Sequence, residues 1–239
     1  MTARGIVYLV GAGPGDPELI TVRGLRRLKE ADVVLHDALV HPDLLTHCKP
    51  EAEVHYVGKR AGRIAQRQAD INQRLIEAAN QGKTVVRLKG GDPYLFGRGS
   101  EEAEALSHAG IVFEIVSGVP SALAGSAYAG ISLTHRSLSS SVAYVTATES
   151  PEKDQSSHDW SKLATATQTL VIFMGMRKLD SLMQLLMAHG RSPHTPAAVI
   201  QSASLPSQRT VVGTVATIAD IARHAAIGMP ALTIVGDAV

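Results

Sequence analysis

The stretch Leu88–Arg98, LKGGDPYLFGR, decides how the chain is read. Thr84 to Leu88 is apolar or β-branched at four of its five positions, the pattern of a strand, and two glycines follow just after Lys89, where a turn must approach something closely. Asp92-Pro93 stiffens the exit, because proline holds its own φ near one value and biases Asp92 toward extended geometry. Arg98, a few residues on, brings a guanidinium to the same opening. A strand end, a glycine turn, one carboxylate and one arginine can hold a compact polar ligand beside an anionic one. The plain alternative is a strand-to-helix turn capped by its own aspartate, and GGDP alone does not separate the two.

Toward the N-terminus, Gly5 to Val10 (GIVYLV) is a short apolar strand that runs into GAGPGDPELIT. Gly11, Gly13 and Gly15 invite comparison with a dinucleotide fingerprint, and Asp37, just past a strand at Ala31 to His36, stands about where a ribose-binding acid belongs. The comparison fails on Asp16, a carboxylate at the place of the third glycine, and on Pro14 and Pro17, which remove two backbone donors from the loop. A loop with few donors and its own acid suits a ligand that carries positive charge and no phosphate. The helix that follows starts near Thr21, with Val22, Leu25, Leu28 and Ala31 predicted on one buried face. His41, His47 and Cys48 are metal-ligand types, but their spacing fits no zinc pattern and no metal site is expected.

A third strand, Val54 to Val57, ends in GKRAGRIAQRQ, where Lys59, Arg60, Arg63 and Arg67 crowd together before the next acid at Asp70. Such a run is either a solvated basic loop or a landing site for several carboxylates, which arginine binds bidentately. Further on, a helix at Ala69 to Ala79 closes at Gly82, and Ser100 is the expected N-cap of a helix with Glu101 and Glu102 in its first turn. Strand Val112 to Val116 leads into SGVPSALAGSAYAG, whose small residues read as a closely packed helix starting at Pro120 and Ser121 beside a ligand. Later strands are read at Val142–Thr146, Thr169–Phe173, Ala197–Gln201, Arg209–Gly213 and Ala231–Val235, with helices at Leu179–Ala188 and Ile218–Ala225 and a polar insertion at Glu149–Trp160. Strands alternating with helices give an α/β fold in two domains, residues 1–134 and 139–239, with the ligand in the cleft between them.

Composition narrows the function classes. Of the 239 residues 45% are hydrophobic and 19% charged, and a formal net charge of +1 argues against a general polyanion binder such as a nucleic-acid protein. The N-terminus shows no basic-then-apolar leader, and no apolar run nears the roughly 20 residues that span a bilayer, so no membrane role is expected and a cytoplasmic location is. The lone Cys48 can form no internal disulfide.

Taken together and in order, VGAGPGDPELIT, VGKRAG, VRLKGGDPYLFGRG, YAGISLTHR, TLVIFMGMRKL, PAAVIQSAS and QRTVVGT closely resemble the successive motifs of the tetrapyrrole methylase family, from about residue 5 to residue 237. The resemblance implies two α/β domains with S-adenosylmethionine in the cleft, a homodimer, and C-methylation of uroporphyrinogen III at two positions to give precorrin-2, a precursor of sirohaem, cobalamin and haem d1. S-adenosylhomocysteine would be the other product. Carried over by motif, the cofactor residues are Pro14, Gly90, Gly91, Asp92, Ser121, Ala122, Met174, Ala203 and Ala231. Arg98, Glu101 and Arg136 take the catalytic positions, and Lys59, Arg60, Arg63, Arg98 and Arg136 those that meet the substrate's carboxylates. Three departures bear on substrate detail: SGVPSA where relatives commonly read PGITSA, VTAT (Val145 to Thr148) where many read VTGH, and His36-Asp37 where YD is usual. The alternatives are a methylase of a later precorrin, which FGRG and LTHR weigh against, and a catalytically weak paralogue that only binds S-adenosylmethionine or a tetrapyrrole. A third is the branch that methylates ribosomal RNA ribose, disfavoured by the near-neutral charge and the scarcity of aromatic platforms.

Overall fold

A computed structural model of the chain describes residues 4–58, 68–148 and 158–239. It divides into two compact units, with the boundary between Pro120 and Ser121.

The first unit runs β1 (Ile6–Gly11), α1 (Val22–Glu30), β2 (Val33–His36), α2 (Pro42–Leu45), β3 (Glu53–Tyr56), α3 (Gln68–Asn80), β4 (Thr84–Lys89), α4 (Gly99–His108) and β5 (Val112–Val116). Its five strands are parallel, in the order β3-β2-β4-β1-β5. The two central strands, IVYLVG and TVVRLK, are buried at every position but the first because helices cover both faces of the sheet. On one face Val7, Leu9 and Val85 pack with Leu75 of α3 and Leu106 of α4; on the other Val10, Val86 and Leu88 pack with Leu28 of α1. The chain thus leaves β1 toward one face and β4 toward the other. Neighbouring strands whose connections diverge in this way leave a crevice at their C-terminal ends, the usual place for a ligand in an open α/β sheet.

Asp32, just before β2, ties the opposite edge together. Its carboxylate accepts the Thr84 N–H at 2.9 Å and takes the Lys49 ammonium at 2.9 Å. The Thr84 amide first, then Lys49, holds the carboxyl below its usual range. A group whose folded-state pKa is depressed contributes stability above its unfolded pKa, here about 4, and loses it as pH falls through the folded value. Asp32→Asn is therefore expected to be less stable than the parent at neutral pH, with the gap in urea-unfolding free energy closing below about pH 4. A gap that stays constant down to pH 2 would remove Asp32 from the acid-sensitive contacts.

The second unit runs α5 (Ser121–Tyr128), β6 (Val142–Thr146), α6 (Trp160–Ala166), β7 (Thr169–Phe173), α7 (Leu179–Ala188), β8 (Pro196–Gln201), β9 (Arg209–Thr214), α8 (Ile218–His224) and β10 (Ala231–Val235). Its sheet has the order β6-β7-β10-β8-β9 and is mixed: β6 and β7 are parallel, and every other pairing is antiparallel. The seven-residue link 202–208 explains part of this, since so short a connection can only return the chain as a hairpin. Leu182 and Leu186 of α7 and Ile218 of α8 fill one face, and Ala122 of α5 meets Val171, Ala198, Ile200 and Leu232 on the other.

The residues depart from the sequence expectation at several points. Val22 is 78% exposed, because the first residue of α1 turns outward and Gly24 and Leu28 make the buried stripe. Arg98, not Ser100, precedes α4, in a left-handed conformation with no side-chain cap. Trp160 opens a helix capped by Asp159, and the preceding residues 149–157 of the expected polar insertion lie outside the described residues. The boundary at Pro120 falls ahead of the expected 134 because α5 packs within the second unit.

Candidate active site

The crevice of the first unit is made by three strand ends that touch backbone to backbone. Gly13 and Gly91, both at positive φ, exchange hydrogen bonds: Gly91 N donates to Gly13 O at 2.7 Å, and Gly13 N donates to Gly91 O at 3.3 Å. Gly118, just beyond β5, lies so close that a Cβ there would stand 2.3 Å from Gly91 O, and one on Gly11 would stand 2.5 Å from the Gly118 Cα. A Cβ on Gly91, by contrast, would meet among the described residues only the Pro120 Cα, at 3.9 Å. Glycine at 91 answers to its φ of +69°, and the side its Cβ would occupy is open. Pro14 sits half-buried next to this contact, and Gly90 backs onto Leu39.

Two carboxylates order these turns. Asp16 accepts the Glu18 N–H at 2.9 Å, and Asp92 accepts the Tyr94 N–H at 2.8 Å, each at the same place in a Gly-Asp-Pro sequence. Asp92 also accepts the Gly118 N–H, through its second oxygen, at 3.0 Å. Prolines 14, 17, 93 and 120 keep the surrounding backbone poor in donors. That donor set suits a nucleoside carrying a sulfonium better than one carrying a diphosphate.

At the start of α4, Arg98 and Glu101 form a bidentate pair, Nε to Oε1 at 2.8 Å and Nη2 to Oε2 at 2.7 Å, both side chains about half exposed. The Arg98 guanidinium pulls the Glu101 carboxyl below its ordinary range against a smaller burial effect, so Glu101 is a weak proton acceptor while paired. Beneath them lies a group that sequence reasoning missed. Arg87 and Lys89 of β4 and Glu102 of α4 are almost wholly buried, with Arg87 Nε at 3.0 Å and Lys89 Nζ at 3.1 Å from the same Glu102 oxygen. Gln68 of α3 donates to that oxygen at 3.0 Å, and Arg87 reaches on to the Asp37 carboxylate at the end of β2. Burial pushes the Lys89 ammonium down, the nearby Arg87 charge adds to this, and Glu102 and Asp37 offset part of it. The signal was present as two charges alternating with Val86 and Leu88 on a central strand, where one face was expected to be as apolar as the other.

The second unit holds the remaining expected residues. Met174, at the end of β7, is half exposed with φ +55°. Ala122 and Ala203 are buried members of one apolar cluster, and a Cβ on Gly125 would stand 2.9 Å from that of Ala203, so both alanines serve packing whatever else they touch. Ala231 opens β10 opposite Gln201, and Ser202 N donates to Pro230 O at 2.9 Å. Ser121 begins α5 and is half-buried, and Arg136 is exposed in the following turn. Lys59, Arg60 and Arg63 lie outside the described residues.

Among the described residues, the non-glycine positions at positive φ are Phe96 and Arg98 after β4, Met174 after β7, Ser202 and Ser204 after β8, and Ala226. Left-handed backbone costs about 1–3 kcal/mol per residue and concentrates where a ligand is clamped. Five of the six fall in the loops that carry the expected site residues. Among the described residues no group of three or more His, Cys, Asp or Glu could hold a metal ion, and no helix is long and apolar enough to cross a membrane.

The chain, with its parallel sheet and glycine-joined crevice followed by a mixed sheet, belongs to the tetrapyrrole (corrin/porphyrin) methylases, the family whose model matches residues 6–219. Within it, the chain is 49% identical over 238 residues, 98% of either protein, to a uroporphyrinogen-III C-methyltransferase of Priestia megaterium. The solved uroporphyrin-III C-methyltransferase of Thermus thermophilus in complex with S-adenosylhomocysteine is 39% identical, superposes with a TM-score of 0.83, and is matched over 98% of this chain and 93% of its own. A cobalt precorrin-4 methyltransferase structure superposes with a TM-score of 0.86 at 34% identity, over 98% of this chain and 95% of its own.

Proposed function

We propose that the chain transfers methyl groups from S-adenosylmethionine to two carbons of uroporphyrinogen III, giving precorrin-2 and S-adenosylhomocysteine. The observation that carries this reading is the 49% identity over 98% of both chains to an enzyme of that activity, against 34% to the methylase of a later intermediate. The TM-scores of 0.83 and 0.86 do not discriminate, because the fold is common to both.

Methyl transfer from a sulfonium is an in-line displacement whose leaving group is already a neutral thioether. Most of the rate then comes from holding the attacking pyrrole carbon about 3 Å from the methyl and in line with its departing bond. In this reading the turns with Pro14, Gly90, Gly91 and Asp92 hold the cofactor in the first unit, and Ser121, Ala122, Met174, Ala203 and Ala231 serve it from the second. Arg98, paired with Glu101, orients carboxylates of the ring; Arg136, Lys59, Arg60 and Arg63 take others, since arginine matches a carboxylate with two parallel bonds. Proline at 120 and VTAT at 145–148 leave the reaction unchanged and adjust how the ring is seated. We further propose a homodimer working in the cytoplasm.

Purified protein given S-adenosylmethionine and uroporphyrinogen III is expected to yield a product two methyl groups heavier, with S-adenosylhomocysteine released in the same two-to-one ratio, both read by mass spectrometry. Cofactor binding without turnover would identify a binding paralogue instead. Turnover only on an already methylated precorrin would move the chain to a later step.

A further inference from the structure

The acid of GGDP, Asp92, spends both carboxylate oxygens on backbone amides: one takes Tyr94 N–H in its own turn, and the other reaches across to Gly118 N–H in the turn after β5. Asp16, in the matching Gly-Asp-Pro turn after β1, makes the equivalent of the first bond. The second bond joins two strand ends. At that junction the Gly118 Cα faces the Gly91 carbonyl so closely that no side chain fits, and the Gly118 amide is satisfied by Asp92. A half-buried amide without a partner would loosen this turn, since backbone donors removed from water are almost always paired.

We propose that Asp92 is a positioning residue: its carboxylate clasps the Gly118–Pro120 turn against the Gly90–Gly91 turn, and it serves the methyl donor through that geometry, not by pairing with the sulfonium charge. The proposal rests on the cofactor reading above and adds how this one acid supports it. S-adenosylmethionine and S-adenosylhomocysteine separate the two modes, because they differ by one methyl and one positive charge. A counterion discriminates between them; a clasp does not.

The experiment is calorimetric titration of the full chain and its Asp92→Asn variant with each ligand, beside thermal unfolding. Asparagine keeps the acceptor for Tyr94 and turns an N–H toward that of Gly118. The expected result is an equal rise in both dissociation constants, about 10-fold or more, from the unmatched amide. A loss confined to S-adenosylmethionine would show charge pairing and overturn the proposal, as would a change in melting temperature with both affinities intact. Gly118→Ala presses on the same junction from the other side with Asp92 untouched. It too should weaken both ligands equally, and undiminished binding would also overturn the clasp. If the parent chain binds neither ligand, the cofactor reading falls and takes the proposal with it; if the parent binds both and Asp92→Asn binds as well, the clasp alone falls.

Discussion

Arg98→Ala should cost about 100-fold or more in kcat/KM for the porphyrinogen and leave the dissociation constant of S-adenosylhomocysteine within about twofold. Arg98 stands at φ +59° before α4, a conformation that strains any residue with a Cβ, so alanine inherits the same strain and the helix start is not rebuilt by the substitution. What disappears is the guanidinium fork gripping Glu101 at 2.7 and 2.8 Å. The pair is half exposed, so its own contribution to stability is small. In the proposed reading the loss falls on orientation of the ring, and a misplacement of about 1 Å at the reacting carbon is enough for a hundredfold effect. Glu101, released from the cation that holds its carboxyl down, also returns toward the ordinary carboxylate range. Arg98→Lys keeps the charge without the fork and should fall between parent and alanine. Equal losses of turnover and cofactor affinity would make Arg98 a structural residue.

The largest stability effect is expected at Glu102. Two cations converge on one of its oxygens from within a strand whose other face is apolar, and all three side chains are out of water. Among the described residues, Glu102→Ala leaves Arg87 and Lys89 the Asp37 carboxylate, part of which is open to solvent, as the remaining ion partner, with Arg87 keeping the Leu35 and Leu88 carbonyls. Removing one partner of a buried pair costs about 3–5 kcal/mol, about a fifth or more of the roughly 5–15 kcal/mol that holds a domain together. Replacing Arg87, Lys89 and Glu102 together by apolar residues of similar volume should come out near neutral, because the desolvation of three charges is then avoided. Urea unfolding of the parent and these two variants compares them directly. A loss below about 1 kcal/mol for Glu102→Ala would mean that water enters the cluster and solvates what remains.

Much of the fold was legible because the strands are bounded by glycine and turn residues. Val112–Val116, Val142–Thr146, Thr169–Phe173 and Ala231–Val235 run as read from the sequence. The four-residue α2 was not foreseen, since so few positions show no period, and α6 begins at the edge of a segment that composition marks only as polar. Direction of pairing was also hidden: alternation of strand and helix suggests a second parallel sheet, and only the shortness of the link between β8 and β9 hints otherwise. For the candidate site, glycine spacing pointed to the turns that meet at Gly13, Gly91 and Gly118, but residue types could not say that Asp92 bonds to a turn far along the chain, or that Arg87, Lys89 and Glu102 meet in the interior. Those are facts of register, set when parallel strands align Arg87 beside Leu35 and Lys89 beside Gly11.

Joining Gly11, Gly91 and Gly118 backbone to backbone has a cost in freedom of another kind. An insertion or deletion in any one of the three connecting segments cannot be absorbed where it occurs, because the neighbouring two have no slack to receive it. Descendants of this chain can therefore diversify in the stretches that lie away from that junction, while the lengths of these three remain tied to one another.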